Sequence, residues 1–238
     1  MNGWSRIEYG TPAVDPAVVL GTFAVRTATP ANHNAARREV ETLLRGLGQQ
    51  VNYRSGEEIF SAGGNAHAVY RVNSGAVVLW RKLPNGKRRI VDFRLPGEFF
   101  GVVHRPTETS NAEASSDSII TTYRRGYVDG ICDAVPSFRR SITLLTDEPP
   151  VPCIKAELAD GRTAKERIAE LLLDTARRAA EAGEITLRFS DGDIADRVGA
   201  PRQLVTNGLR DLETSGAIMR TGEGGLMVLD AGLLQSQI

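Results

Sequence analysis

The sequence predicts an α+β chain in three parts: a β-roll of the jelly-roll kind, a connecting helical segment, and a C-terminal unit of strand, two helices and hairpin. Three observations carry this. Between residues 51 and 125, short β-type runs alternate with glycine-containing turns. Beyond them, apolar residues recur at three- and four-residue spacing, the helical period. From Glu184 onward the order is strand, helix, Gly199, helix, Gly216, hairpin. The expected divisions are a flexible arm over 1–33, the roll over 34–126, the connector over 127–162, and the terminal unit over 163–238.

Composition sets the outer bounds. The 238 residues suffice for two modest domains, and 41% hydrophobic with 24% charged residues is ordinary for a soluble globular protein. The net charge is +0, so no global field points to nucleic acid or membrane. Apolar runs such as Leu171-Leu172-Leu173 are far too short to span a bilayer, and the N-terminus lacks the pattern of a secretory signal. A cytoplasmic location is therefore expected, with Cys132 and Cys153 as reduced thiols. A redox role would need them exposed and their thiolates favoured by nearby basic groups.

The arm is rich in Ala, Pro, Thr and Gly without periodicity. A helix is expected over 35–49, with Val40, Leu43, Leu44 and Leu47 as its apolar stripe. Strands are expected at Val51–Tyr53, Glu58–Phe60, Ala68–Val72, Ala76–Arg81, Arg88–Phe93 and Ile119–Tyr123. Asn85-Gly86 reads as a hairpin turn in which both residues accept positive φ. Arg81, Lys82, Lys87, Arg88, Arg89 and Arg94 around it read as a solvated charged hairpin, with DNA phosphate or RNA polymerase as the other option. Residues 126–150 read as helical, with Ile131, Val135, Phe138, Ile142 and Leu145 inward, until Pro149, Pro150 and Pro152 interrupt. A further helix spans 163–182, with Gly183 as its cap.

In the terminal unit, Ser190 and Asp193 form a capping box opening a helix that Gly199 breaks. Pro201 suits the first position of the next helix, which buries Leu204, Val205, Leu209 and Leu212. Ile218–Arg220 and Leu226–Leu229 flank a hairpin tip at Glu223-Gly224. This order is a winged helix-turn-helix, whose second helix enters the DNA major groove by its N-terminal end. Arg202, Gln203, Thr206, Asn207 and Arg210 are its base-reading candidates, because Arg pairs with guanine and Gln or Asn with adenine. Arg188 and Ser190 flank them as further candidate DNA contacts.

Residues 163–238 carry nine Lys and Arg against twelve Asp and Glu, a net of −3. DNA binding therefore requires the basic residues Arg188, Arg197, Arg202, Arg210 and Arg220 to gather on one face. The same acidity supports an alternative, a ligand-binding signalling module whose winged helix makes protein contacts. Gly208 inside the second helix costs about 1 kcal/mol relative to Ala. No Ser–His–Asp set, paired carboxylates or phosphate loop stands out, so an enzyme is not expected.

The stretch DIADRVGAPRQLVTNGLRDLETSGAI resembles the helix-turn-helix of the Crp–Fnr superfamily of bacterial transcription regulators. LPGEFFG followed by NAEASSDS resembles the superfamily's cyclic-nucleotide-binding-type β-roll, and NAEASSDSIITTYRR looks most like the FixK and FnrN branch. The likeness covers roughly residues 35–232. It implies a homodimer on two-fold symmetric double-stranded DNA, with a long helix between roll and DNA domain. Pro149–Pro152 fall where that helix is expected to be continuous, so it is kinked, shortened or started late. Where the nucleotide pocket expects Gly-Glu and then Arg-Ser, this chain has Gly101-Val102 and Ser110-Asn111. A cyclic nucleotide phosphate would thus lack its main cation, and cyclic AMP is not the expected effector. The iron–sulfur branch needs four cysteines and this chain has two. His33, His67 and His104 lack metal-ligand spacing, although one histidine suffices for haem. No cofactor or metal is expected. Gln203 and Asn207 stand where the family often carries Glu and Arg, whereas Arg202 matches.

Overall fold

The computed structural model describes residues 30–101, 104–148, 161–181, 186–221 and 225–238. The expected arm falls almost wholly outside these. Helix α1 (Pro30–Leu43) opens the described chain. It ends earlier than expected: the chain turns after Leu43 with Gly46 at a left-handed φ of 78°, and Gln49 already pairs with Thr122 in a sheet. Eight strands follow: β1 (Gln49–Tyr53), β2 (Glu58–Phe60), β3 (Ala68–Ser74), β4 (Val77–Lys82), β5 (Arg88–Arg94), β6 (Phe99–Phe100), β7 (Asn111–Ala114) and β8 (Ser118–Arg124). They form two antiparallel sheets of order β1-β8-β3-β6 and β2-β7-β4-β5. Val72, Tyr70 and Ile120 of the first meet Val77, Leu79, Val91 and Ala112 of the second in one apolar core. Sequence periodicity missed β6 and β7, of two and four residues, which are too short to show alternation.

The β4–β5 hairpin differs from expectation at its tip. Gly86 alone takes a positive φ of 80°. Asn85 instead accepts the Lys87 backbone N–H with its side-chain oxygen, 3.1 Å away. Helices α2 (Arg125–Ala134) and α3 (Pro136–Thr146) replace the single helix expected over 126–150. The break is Val135, which is extended because the proline after it excludes the helical region. Pro149, Pro150, Pro152 and Gly183 lie outside the described residues.

The remaining elements are α4 (Ala164–Glu181), β9 (Thr186–Leu187), α5 (Asp191–Val198), α6 (Arg202–Thr214), β10 (Ile218–Arg220), β11 (Leu226–Val228) and α7 (Ala231–Gln235). The three short strands form one sheet of order β10-β11-β9 against the helices. This is the winged helix-turn-helix, preceded by α4 and closed by a terminal helix that the sequence reading omitted.

The two domains share a core. Along β4 the side chains alternate, and a register shift opposite Leu79 and Trp80 offsets β5: Val77, Leu79 and Val91 fill the roll, while Val78, Ile90 and Phe93 face outward. That outer face packs on Ile168, Leu172, Phe189 and Ile194 of the C-terminal unit. The Phe93 and Phe189 rings stand 4.0 Å apart between centroids. Above them Arg178 of α4 donates to Glu98 at 2.7 Å and to the Phe93 carbonyl at 2.6 Å, and pairs with Asp92 at 3.3 Å. Burial alone would raise the Glu98 carboxyl, but the facing Arg178 and Arg94 guanidiniums hold it below the usual carboxylate range.

The arginines of the β4–β5 hairpin are therefore not a solvated face. Arg89 is buried and donates to the Asp196 carbonyl, 2.9 Å away, at the C-terminal end of α5. Arg88 pairs with Asp193 at 3.5 Å and lies over the Trp80 ring. Arg94 is buried and holds the Leu145 and Asp147 carbonyls at the end of α3. Guanidiniums suit the places of Arg89 and Arg94 because helix C-termini leave carbonyls unsatisfied and carry partial negative charge.

Replacing Arg178 with alanine should cost about 3 kcal/mol, because two buried carboxylates, Asp92 and Glu98, are then left with Arg94 as their shared cation. Chemical denaturation checks this: the single cooperative transition expected of the wild type should separate into two for Arg178→Ala.

Candidate nucleic-acid interface

The terminal unit is built from its caps outward. The Ser190 hydroxyl accepts the Asp193 backbone N–H at 3.0 Å, and the Asp193 carboxylate reaches back to the Ser190 N–H at 3.3 Å. This is the capping box expected from sequence. Gly199 ends α5 in the left-handed conformation, at φ 67°. Pro201 sits one position earlier than expected, as the N-cap of α6, with Arg202 first in the helix. Val205, Leu209 and Leu212 pack against Ile194, Ala195 and Val198. Gly208 fits where α6 crosses α4: a Cβ there would stand 3.1 Å from the Ile168 Cδ1.

Leu204 is the exception among the apolar positions, being 51% exposed rather than buried. It lies in the first turn of α6 among the polar candidates. Arg202, Gln203, Asn207 and Arg210 are exposed and Thr206 is half-buried. The Gln203 amide donates to the Asn207 side-chain oxygen at 3.3 Å, so the two amides constrain one another. The Arg202 guanidinium lies over Gly192, where a Cβ would stand 3.0 Å from its Nη2. Thr206 donates to Asp191 at 3.2 Å.

Sequence reasoning missed one organiser of this face. Asp191 also accepts Arg220 of β10, at 3.1 and 3.2 Å, and so ties the hairpin to α6. Its position at the start of α5 signalled only a favourable helix N-terminus. Ser190 and Arg188 are placed differently from the α6 residues. Ser190 is engaged in its cap, and the Arg188 carbonyl accepts Ser115 of the roll at 3.4 Å. The tip Glu223-Gly224 lies outside the described residues.

The acidity of the terminal unit also finds its place. Asp193 and Asp196 face Arg88 of the roll at 3.5 and 4.0 Å. Burial raises the Asp196 carboxyl, opposed by Arg88 and, more weakly, by Arg202 and Arg89. These acids serve the domain seam, so the net −3 does not describe the exposed face of α6.

Elsewhere, Cys132 is buried, and desolvation raises its thiol against the opposing charge of Arg139, which removes the exposed thiolate a redox switch needs. Cys153 lies outside the described residues. Among the described residues no His, Cys, Asp and Glu group is arranged to hold a metal ion, and no helix is long and apolar enough to cross a membrane. In the roll, Ser110 is matched by a cation after all, since Arg81 donates to it at 2.9 Å.

Comparison with known proteins places this geometry. The cyclic nucleotide-binding domain profile matches residues 50–134, and the Crp-like helix-turn-helix domain profile matches 166–236. The nitrogen fixation regulation protein FixK of Azorhizobium caulinodans is 30% identical over 221 residues, 90% of this chain and 85% of that protein. The chain belongs to the Crp–Fnr family. The transcriptional activator protein FnrL of Cereibacter sphaeroides is 27% identical, covering 84% of this chain and 86% of that one. The structure of FixK2 from Bradyrhizobium japonicum superposes with a TM-score of 0.66 at 28% identity, over 80% of this chain and 96% of that one. As a Crp–Fnr protein of the FixK and Fnr kind, the chain is a DNA-binding transcription regulator. The protein-contact alternative is not favoured.

Ser190→Ala should lower stability by about 1 kcal/mol through loss of the N-cap, whereas Ser190→Thr, which keeps the hydroxyl that caps and donates to Asp193, should retain most of it. Urea titration of the three proteins measures the difference.

Proposed function

We propose that this regulator reads double-stranded DNA by placing the N-terminal half of α6 in the major groove. The observation that carries the reading is the common exposure of Arg202, Gln203, Asn207 and Arg210 on one helix, with Thr206 beside them. Arg202 is assigned to a guanine, and Gln203 with Asn207 to an adenine edge, since amide pairs match its donor and acceptor. The exposed Leu204 suits a thymine methyl. Arg220 adds a phosphate contact from the hairpin, with Arg188 as a flanking contact. Ser190 serves mainly as a cap.

The regulator works in this proposal as a cytoplasmic homodimer on a two-fold symmetric site, without catalytic activity. Contact with RNA polymerase is assigned to exposed residues outside the seam, such as Lys82 and Lys87 at the hairpin. Cyclic AMP is not its effector. The Asn111 amide is committed to the Trp80 carbonyl and the Ala62 N–H, and Ser110 to Arg81 and Glu148.

Arg202→Ala should lose about 1–3 kcal/mol of discrimination at one base pair, measured by competition between single-substituted operators. Unchanged preference at every position would remove Arg202 from base reading. Millimolar cyclic AMP should leave the melting temperature in place; a saturable rise would contradict this part of the proposal.

A further inference from the structure

One carboxylate joins three elements of the terminal unit. Asp191, the first residue of α5, accepts the Thr206 hydroxyl of α6 on Oδ2 at 3.2 Å. Arg220 of β10 sets Nη2 against both carboxylate oxygens, 3.1 Å from Oδ2 and 3.2 Å from Oδ1. The unit does not depend on these contacts to stay together. The Arg220 and Asp191 side chains are 40% and 33% exposed, and an ion pair so open to water contributes little to stability. The hairpin is tied to α6 a second time, where the Arg220 backbone N–H donates to Glu213 at 3.2 Å. Helices α5 and α6 are packed through Ile194, Val198, Val205 and Leu209. What Asp191 alters is the chemistry of the two side chains it holds.

Thr206 stands one helical turn from Arg202 and from Arg210, on the same row of α6. Its hydroxyl has one proton and two lone pairs. A carboxylate facing a guanidinium can only accept, so the Thr206 proton is spent on Asp191 and lone pairs are what remain for a base. In the major groove adenine N6 and cytosine N4 donate, whereas guanine N7 and O6 and thymine O4 accept. We propose that Asp191 is a positioning residue for base reading. By holding the Thr206 proton it makes that hydroxyl an acceptor, selective for a base with an exocyclic amino group, adenine or cytosine. By pairing with Arg220 it withholds one cation from the phosphates. This rests on α6 reading DNA, and adds to it the class of base recognised at one position of each half-site.

The test uses the full-length protein and the motif it selects from a random duplex pool, with each position then varied singly. Thr206→Val keeps the branched shape and the methyl group without the hydroxyl. It should lose about fivefold of preference at one position, the strength of a single neutral hydrogen bond, and that position should carry adenine or cytosine. Asp191→Ala should relax the same position towards guanine and thymine, because the freed hydroxyl then donates as readily as it accepts. It should also steepen the fall of log affinity with log salt by about one, as Arg220 gains a phosphate. Asp191→Asn keeps an acceptor oxygen but not the charge, so it should retain the preference and show the steeper slope. Should Asp191→Ala not fold, the slope of Asp191→Asn and the position lost by Thr206→Val decide the matter. The proposal is overturned if Thr206→Val keeps every preference, or if the position it loses carries guanine or thymine. It is equally overturned if Asp191→Ala leaves that position unchanged, if Asp191→Asn relaxes it as far as Asp191→Ala does, or if either Asp191 variant keeps the wild-type slope. In each of these cases a motif is still selected, so α6 still reads DNA. A pool that stays random removes that reading and this role of Asp191 with it.

Discussion

The placement of every element of the DNA-reading unit relative to the roll rests on Arg178. Its guanidinium is flanked by Glu98 and Asp92 of the roll and bonded to the Phe93 carbonyl. Such a cluster is weak evidence of net stability, because taking three charges out of water cancels most of their attraction. Its effect is positional. Any displacement of α4 along the sheet strands buried charge, whereas the apolar contact beneath, Phe93 on Phe189 and Val78 with Ile90 against the helices, tolerates sliding. The apolar patch supplies the attraction and the ion cluster fixes the register. Arg89, on the α5 carbonyls, adds a second fixed point at the far side of the seam.

This arrangement resolves the charge conflict of the sequence. A DNA-binding unit with net −3 looks unsuited to phosphate until its acids are located. Asp193 and Asp196 meet Arg88 at the seam, while Asp191 is spent between Thr206 and Arg220. The roll thus contributes cations to the back of the unit, leaving the arginines of α6 on the outer face. In the proposed reading of DNA, Asp191 has a further consequence, since a phosphate approaching Arg220 would compete with it.

Much of this was legible in advance, for identifiable reasons. Local chemistry announced the capping box, the Gly199 turn, the hairpin strands and the buried stripe of Val205, Leu209 and Leu212. Each is decided within a few residues. Tertiary effects were less visible. The helix pattern over 35–49 lost its end to a turn at Gly46 that leads into the strand at Gln49. Leu204 satisfied the apolar spacing yet lies outside, because spacing gives a face and not its width. The arginines around Asn85-Gly86 looked solvated because a hairpin by itself has no partner for them. One signal was overlooked: Ala76-Val77-Val78-Leu79-Trp80 is continuously apolar, as in a strand covered on both faces, and it foretold that something docks there. Glu148 carried no local mark at all, since its partners Arg81 and Ser110 lie far away in the chain.

The central claim is that α6 reads DNA sequence. Selection of bound fragments from a random duplex pool by the full-length protein tests it most directly. The account predicts enrichment of one two-fold symmetric motif, with affinity that falls steeply as salt rises. A pool that stays random after repeated rounds, at salt low enough for binding, would contradict it.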